Sequence, residues 1–227
     1  MLDPYMRRLI DPPLNLIGKK LAQWDVSANT ITILGFLIGL LTMVMIGMKQ
    51  YEYAFICLLL NRFFDGVDGA IARHSHLSDF GGFLDIICDF TIYSGIVFSF
   101  AIAHSQNAFC AAFLIFSFIG PITSFLSYAT IAAKKQIHNS RRGKKSFYYL
   151  GGICEGTETT IVLILMCLIP DIFPELCLIY GILCWITTVG RIYQAWKDFG
   201  GEALNCLIDS EGNAYKKPVI KTKFQVQ

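Results

Sequence analysis

The sequence predicts an all-α integral membrane protein with six transmembrane helices, preceded by a possible helix at the membrane surface. Hydrophobic residues make up 54% of the 227 residues and charged residues only 16%, whereas an ordinary soluble domain has about 25% charged residues. One soluble core of this size could not bury so much apolar surface. Six apolar runs separated by polar loops indicate that lipid is the solvent for this surface.

Residues 1–25 form a cytoplasmic or juxtamembrane segment. Charged residues and prolines interrupt it, so it lacks the apolar core of a signal peptide. Leu9, Leu14, Ile17 and Leu21 suit a helix that lies on the membrane surface, and a plain cytosolic tail is the alternative.

The six apolar runs predict the helices of a single domain, residues 26–199. A helix that spans the hydrocarbon core needs about 20 residues. The fifth run is shorter, so its helix is expected to begin earlier, near Cys154, and Gly120-Pro121 should kink the fourth. The runs are Thr30–Met48, Tyr53–Ile71, Phe83–Ala103, Phe109–Ala133, Thr157–Ile169 and Leu176–Trp196.

The distribution of basic residues predicts the orientation. They are concentrated in the N-terminal segment, in the loop after the fourth run and near the C-terminus, where they extend into the polar tail 200–227. The positive-inside rule therefore places both termini, and the loop around Arg73, in the cytoplasm. A net charge of +2 without a basic stripe argues against a nucleic-acid partner. The eight cysteines include no CxxC pair and are predicted to be free thiols.

Four aspartates interrupt the second and third runs near their predicted cytoplasmic ends. Asp65 and Asp68 are three residues apart, and Asp85 and Asp89 are four apart, so each pair shares one helix face. A short loop joins the two helices, which makes them antiparallel neighbours whose carboxylates can converge. Charges within a span are costly and usually functional. Oxygen ligands favour magnesium or manganese, and two divalent cations would balance four carboxylates.

The alternative is that the aspartates are solvated by the cytosol or paired with Arg62 and Arg73. Small residues beside the first pair, such as Gly66 and Gly69, would let a ligand or a neighbouring helix approach the backbone. Metals with open coordination positions and a nearby arginine suit a substrate that contains a pyrophosphate.

The stretch Asp65-x2-Asp68-Gly69-x2-Ala72-Arg73-x7-Gly81-x3-Asp85-x3-Asp89 resembles the signature of the CDP-alcohol phosphotransferases. These are six-helix membrane enzymes of phospholipid synthesis. Within the family, the segments that begin at Lys145 and Glu155 resemble a bacterial inner-membrane branch. The resemblance implies transfer of a phosphatidyl or other substituted phosphoryl group from a CDP-linked lipid donor to a small alcohol acceptor. CMP would be released, and a homodimer is expected.

The resemblance also implies roles for individual residues. Asp65 and Asp85 would bridge two divalent cations, magnesium or manganese. Asp68 would complete one cation site and Asp89 the other, and Asp89 would also act as general base on the acceptor hydroxyl. The implied donor-binding residues are Asn61, Gly69, Ala72, Arg73 and Gly81. For Asn61, a hydrogen bond between helices is an equal alternative.

The acceptor-binding residues are less defined. Candidates are Arg141, Lys144, Lys145, Glu155 and Glu158. The basic residues could bind a phosphorylated acceptor or simply the anionic headgroups of membrane lipids. The two glutamates could hold acceptor hydroxyls or complement the N-terminus of the fifth helix.

Two other functions remain open. An Asp-rich membrane prenyltransferase also binds a pyrophosphate through magnesium, but such enzymes are longer and lack the block Asp68-Gly69-x2-Ala72-Arg73. A cation transporter could use the aspartates as its pathway. Transporters place such sites at mid-bilayer between repeats, whereas these aspartates lie near one edge and the chain shows no repeat.

The orientation can be tested by labelling single cysteines in a cysteine-depleted protein in intact cells. We expect Ser140→Cys, in the loop 134–145, to be protected from an impermeant reagent, and Asp171→Cys, in the loop Pro170–Glu175, to be labelled. External labelling at position 140 would contradict the predicted orientation. It would place the aspartates on the wrong side for a CDP-linked donor.

Overall fold

The computed structural model describes residues 3–75, 77–134 and 152–199, and the statements below concern these residues. Helices account for nearly all of this part of the chain, and no strand occurs in it. The all-α prediction is therefore confirmed. In chain order the helices are α1 (Asp3–Gln23), α2 (Ala28–Gly47), α3 (Tyr51–His74), α4 (Asp79–Ala103), α5 (Ala108–Lys134), α6 (Gly156–Leu168) and α7 (Phe173–Phe199).

Four segments of the described chain are long and apolar enough to cross a membrane. They are Ala28–Gly47, Asp79–Ala103, Ser105–Lys134 and Pro170–Phe199, the last two beginning in short 3-10 turns. Many of their large side chains are exposed, such as Phe109 at 79% and Val189 at 64%. Apolar side chains on the outer surface are what a lipid-facing protein presents. The protein is thus an integral membrane protein.

The other two predicted spans differ from these four. Helix α3 has 24 residues, long enough to span, but its apolar run contains Arg62, Asp65 and Asp68. Helix α6 has 13 residues, which corresponds to about 20 Å of length. It begins at Gly156, before Thr157 and two residues after Cys154, and Glu155 caps it. The count of six spans therefore stays a prediction.

Short turns place α2, α3 and α4 side by side. Three residues join α2 to α3, and among them Lys49 adopts a left-handed conformation with φ of 60°, which lets the chain reverse. Ser78 begins α4, and its hydroxyl accepts a hydrogen bond from the Gly81 amide. Helix α2 packs on both α3 and α4, and a continuous core from Ile46 to Cys184 extends to α5, α6 and α7.

The N-terminal segment is helical and packs against α3. A Cβ atom at Gly18 would lie 2.6 Å from the Ala70 Cβ, and one at Gly66 would lie 2.6 Å from a Leu14 methyl carbon. The two glycines therefore allow a close approach of α1 and α3. On the other side of α1, Leu9 and Leu16 are exposed at 73% and 70%. This arrangement agrees with the surface helix, the first of the two alternatives for this segment.

Candidate metal and phosphate site

Three of the four aspartates meet between α3 and α4. Asp65, Asp68 and Asp85 each contribute one carboxylate oxygen to a group whose atoms all lie within 4.8 Å of one another. Asp68 is buried and the other two are half-buried. The i, i+3 spacing on α3 and the antiparallel turn to α4 produce this arrangement. The group is dense enough in negative charge to need positive charge nearby.

The residues fit a divalent cation. The Oδ2 atom of Asp68 is buried and has no hydrogen-bond partner among the described residues. A buried carboxylate oxygen without a partner is costly. A hard cation prefers oxygen ligands and would satisfy this atom while neutralising its neighbours. The carboxylate group of Asp65, Asp68 and Asp85, together with the unpaired Asp68 Oδ2, therefore defines a candidate cation site.

Asp89 lines the same pocket but pairs with an arginine. Its Oδ1 accepts a hydrogen bond from Arg62 Nη2 at 2.9 Å, and its Oδ2 accepts one from the Tyr93 hydroxyl at 3.2 Å. Arg62 Nη1 lies 3.7 Å from Asp65 Oδ2. Pairing with Arg62, considered above as an alternative, thus applies to Asp89 and more weakly to Asp65.

Arg62 lines the pocket and Tyr93 hydrogen-bonds to Asp89 beside it, and neither was assigned to the site from the sequence. The sequence suggested Arg62 only as an alternative ion-pair partner of the aspartates, and it indicated no role for Tyr93. Their spacing was a signal, since Arg62 precedes Asp65 by one helical turn and Tyr93 follows Asp89 by one turn. Thr32 and Cys88 also line the pocket.

Of the proposed donor-binding residues, Asn61 alone lines the pocket. Asn61 lines it, donates to the Gly35 carbonyl at 2.8 Å and accepts from Arg62 Nε at 2.9 Å. The hydrogen bond to Gly35 joins α3 to α2, which is the alternative role that the sequence offered for Asn61. Gly69, Ala72, Arg73 and Gly81 do not line the pocket.

Arg73, at the last turn of α3, contacts α1. Its Nη2 donates to Asn15 Oδ1 at 3.0 Å and lies 3.7 Å from Asp11 Oδ1. A Cβ atom at Gly69 would be 3.6 Å from Arg73 Nη1, so the backbone there is open. The Gly81 amide is already used in capping α4. In this arrangement the arginine links the N-terminal helix to the end of α3.

The acceptor candidates have separate outcomes. Arg141, Lys144 and Lys145 lie outside the described residues. Glu155 and Glu158 form a capping box at the start of α6, and Glu155 Oε1 also accepts from the Gly152 amide at 2.9 Å. The two glutamates thus complement the N-terminus of α6, which is the second of the two roles that the sequence left open for them.

A second, larger cavity of about 280 Å³ lies between α5 and α7. Thr123, Ser124, Tyr128 and Arg191 are among its lining residues. Arg191 is buried, and its Nη1 donates to the Pro121 carbonyl at 2.7 Å. None of the four aspartates lines this cavity.

Comparisons with known proteins agree on one family. The family model for CDP-alcohol phosphatidyltransferase matches residues 25–193. The chain is 43% identical over 197 residues to the inner membrane protein YnjF of Escherichia coli, covering 86% of this chain and 96% of that protein. It is 31% identical over 193 residues to the archaetidylinositol phosphate synthase of Pyrococcus horikoshii, covering 85% and 95%.

A solved structure has the same fold. It is the crystal structure of Mycobacterium tuberculosis phosphatidylinositol phosphate synthase (PgsA1) with CDP-DAG bound. The TM-score is 0.63 at 18% identity, with 81% of this chain and 93% of that chain covered.

The candidate cation site predicts a stabilisation that depends on the carboxylates. Magnesium or manganese at 100 times its dissociation constant should stabilise the detergent-solubilised protein by about 2.7 kcal/mol. Asp68→Asn and Asp85→Asn should abolish most of the corresponding shift in melting temperature. Asp171→Asn, on the turn before α7, is the matched control and should keep it. An unchanged shift in the two pocket variants would contradict the assignment.

Proposed function

The chain belongs to the CDP-alcohol phosphatidyltransferase family, and on that premise we propose how its residues perform the transfer. The protein is a membrane enzyme of phospholipid synthesis that moves a phosphatidyl group from a CDP-linked lipid donor to an alcohol. The single observation that carries the proposal for its site is the group of Asp65, Asp68 and Asp85, with the unpaired Asp68 Oδ2 among them.

Divalent cations are the cofactors that this donor set suits, and we propose two of them, magnesium or manganese. Asp65, Asp68 and Asp85 would hold the first, and Asp89 would complete the second together with Asp65 and Asp85. When bound, such cations offset the negative charge that develops on the donor phosphates during the transfer.

Asp89 would accept the proton of the acceptor hydroxyl. Its two oxygens are held by Arg62 and Tyr93, so its carboxylate has a defined position at the pocket. A general base must be held within hydrogen-bond reach of the proton that it removes. The attacking oxygen would then form a bond to the donor's β-phosphate as the bond to CMP breaks.

Arg73 would bind the donor phosphates. It lies one turn beyond Gly69, where the absence of a side chain leaves the backbone open to a phosphate. The hydrogen bond from Arg73 to Asn15 would have to yield, at least in part, for that contact to form. Arginine suits this role because its planar guanidinium group forms paired hydrogen bonds with phosphate oxygens.

The proposal extends to the acceptor alcohol, the route of the lipid donor and the oligomeric state of the enzyme. We expect a small polar alcohol that arrives from the cytoplasm, since the positive-inside rule predicts that this end of the bundle faces the cytoplasm. The lipid donor would reach the pocket from the bilayer between α2, α3 and α4. A homodimer is the expected assembly.

Release of CMP tests the function directly. The purified enzyme in nanodiscs would be given a CDP-linked diacyl lipid, magnesium and a panel of alcohols that includes phosphorylated polyols. CMP release that depends on one alcohol, and that is lost in Asp65→Asn, is the expected result. Consumption of a prenyl diphosphate without CMP would favour the prenyltransferase, and cation flux without either reaction would favour the transporter.

Asp89→Asn separates the base from the ligand. If Asp89 acts mainly as the base, the variant should bind the donor normally and release CMP about 10²–10⁴ times more slowly, the usual contribution of general acid–base catalysis. Donor binding and CMP release would be titrated separately against magnesium. Donor binding that is lost and then restored by high magnesium, along with turnover, would leave Asp89 as a ligand only.

A further inference from the structure

Arg62 makes a complete set of contacts inside the metal pocket. Its Nε donates to Asn61 Oδ1 at 2.9 Å, its Nη1 to the Tyr93 hydroxyl at 2.7 Å, and its Nη2 to Asp89 Oδ1 at 2.9 Å. The guanidinium carbon also lies 5.0 Å from the centre of the Tyr93 ring. Every nitrogen of the group therefore has a partner, and the side chain is only 13% exposed.

These contacts fix where the positive charge lies. Among the described residues that line the pocket, four are aspartates and Arg62 alone is basic. Asp89 receives the short hydrogen bond, whereas Asp65 is 3.7 Å away. Asp68 and Asp85 are not among its ion-pair partners in the described chain. The arginine thus neutralises one side of the carboxylate group and leaves the other side to a cation.

A rigid guanidinium in this position and a divalent cation would use the same oxygens. Asp89 Oδ1 accepts from Arg62 and Oδ2 accepts from Tyr93, so each oxygen keeps a lone pair for a metal, but a metal bound there would lie next to the positive charge of Arg62. The tyrosine also accepts from Arg62, which joins the three side chains into one hydrogen-bonded unit. The positive charge of Arg62 therefore opposes a cation that binds Asp89.

We propose that Arg62 is a positioning residue that competes with the second divalent cation for Asp89. The inference rests on the proposed function, because it takes the divalent cations from there. The position formed by Asp65, Asp68 and Asp85 fills first, since Arg62 makes no hydrogen bond to those residues in the structure described. The second position fills at a higher cation concentration because the charge of Arg62 opposes binding at Asp89, so Arg62 sets the cation concentration at which the site is complete.

The competition predicts that replacing Arg62 strengthens cation binding, whereas replacing an arginine with only a structural role would weaken it. Removing the positive charge should free Asp89 and strengthen the pocket's negative field, so the weaker of two cation-binding steps should tighten. Because one unit charge within about 4 Å is removed, we expect the dissociation constant of this step to fall about tenfold or more. A residue that only held α3 against α4 would, when replaced, loosen the pocket and weaken the binding of the cation.

The experiment measures manganese binding to the purified enzyme without substrate, by the loss of the electron paramagnetic resonance signal of free Mn²⁺. Arg62→Gln is the principal variant. It is purified with magnesium, which supplies the missing positive charge, and the magnesium is removed before the titration. Arg62→Met provides a second neutral side chain and Arg62→Lys keeps the charge. The matched control is Arg191→Gln, which removes a buried arginine from α7, outside this pocket.

The expected result is a weaker binding step that tightens about tenfold or more in the neutral variants. Arg62→Lys should lie between them and the wild type, and Arg191→Gln should bind as the wild type does. The double variant Arg62→Gln with Asp89→Asn should lose the gain, because the gain is assigned to Asp89. Equal or weaker cation binding in every Arg62 variant that folds would overturn the proposal, as would a gain that survives in the double variant.

The outcome is distinguishable from a failure of the proposed function. Cation binding is measured without donor or acceptor, so it does not depend on which group the enzyme transfers. If CMP release fails for every alcohol while the manganese titrations behave as expected, the function is wrong and the role of Arg62 stands. If CMP is released but the weaker step does not tighten, the role of Arg62 is wrong and the function stands.

Discussion

The site depends on one electrostatic constraint, the gathering of four carboxylates beside lipid. Four negative charges cannot lie this close in a poorly solvated pocket unless positive charge offsets them. The chain itself supplies one such charge, Arg62, and directs it to Asp89. The remaining carboxylates meet around the buried Asp68, whose Oδ2 has no partner among the described residues. The pocket is thus divided between an internal cation and a site suited to an external one.

Much of this arrangement could be predicted from the sequence because helical geometry is regular. Residues three and four apart share a face, so Asp65, Asp68 and Asp85 could be expected to meet once the loop between α3 and α4 was seen to be short. The signature motif then indicated the family, and the comparisons agree with it. The all-α membrane fold followed from composition and the lengths of the apolar runs.

Contacts between helices could not be predicted in the same way. Arg62 lies on α3 with Asp65, yet its short hydrogen bonds cross to α4, and the register of two helices decides such a choice. For Asn61 and for the pair Glu155 and Glu158, the sequence left two roles open. The structure shows a helix-to-helix hydrogen bond for the first and a capping box for the second. Both contacts use polar atoms for which the sequence also allowed a ligand-binding role.

The shortness of α6 has a consequence for the surrounding bilayer. Its 13 residues cover about 20 Å, whereas the hydrocarbon core is about 30 Å thick. As a predicted span, α6 would create a hydrophobic mismatch, which thinning of the adjacent lipid or shielding of its polar start by neighbouring protein would offset. At the polar start Glu155 is buried, with 9% exposure, so protein does part of this shielding. Where lipid meets the remaining surface of α6, headgroups and water are expected to reach deeper into the membrane than they do beside α5 or α7.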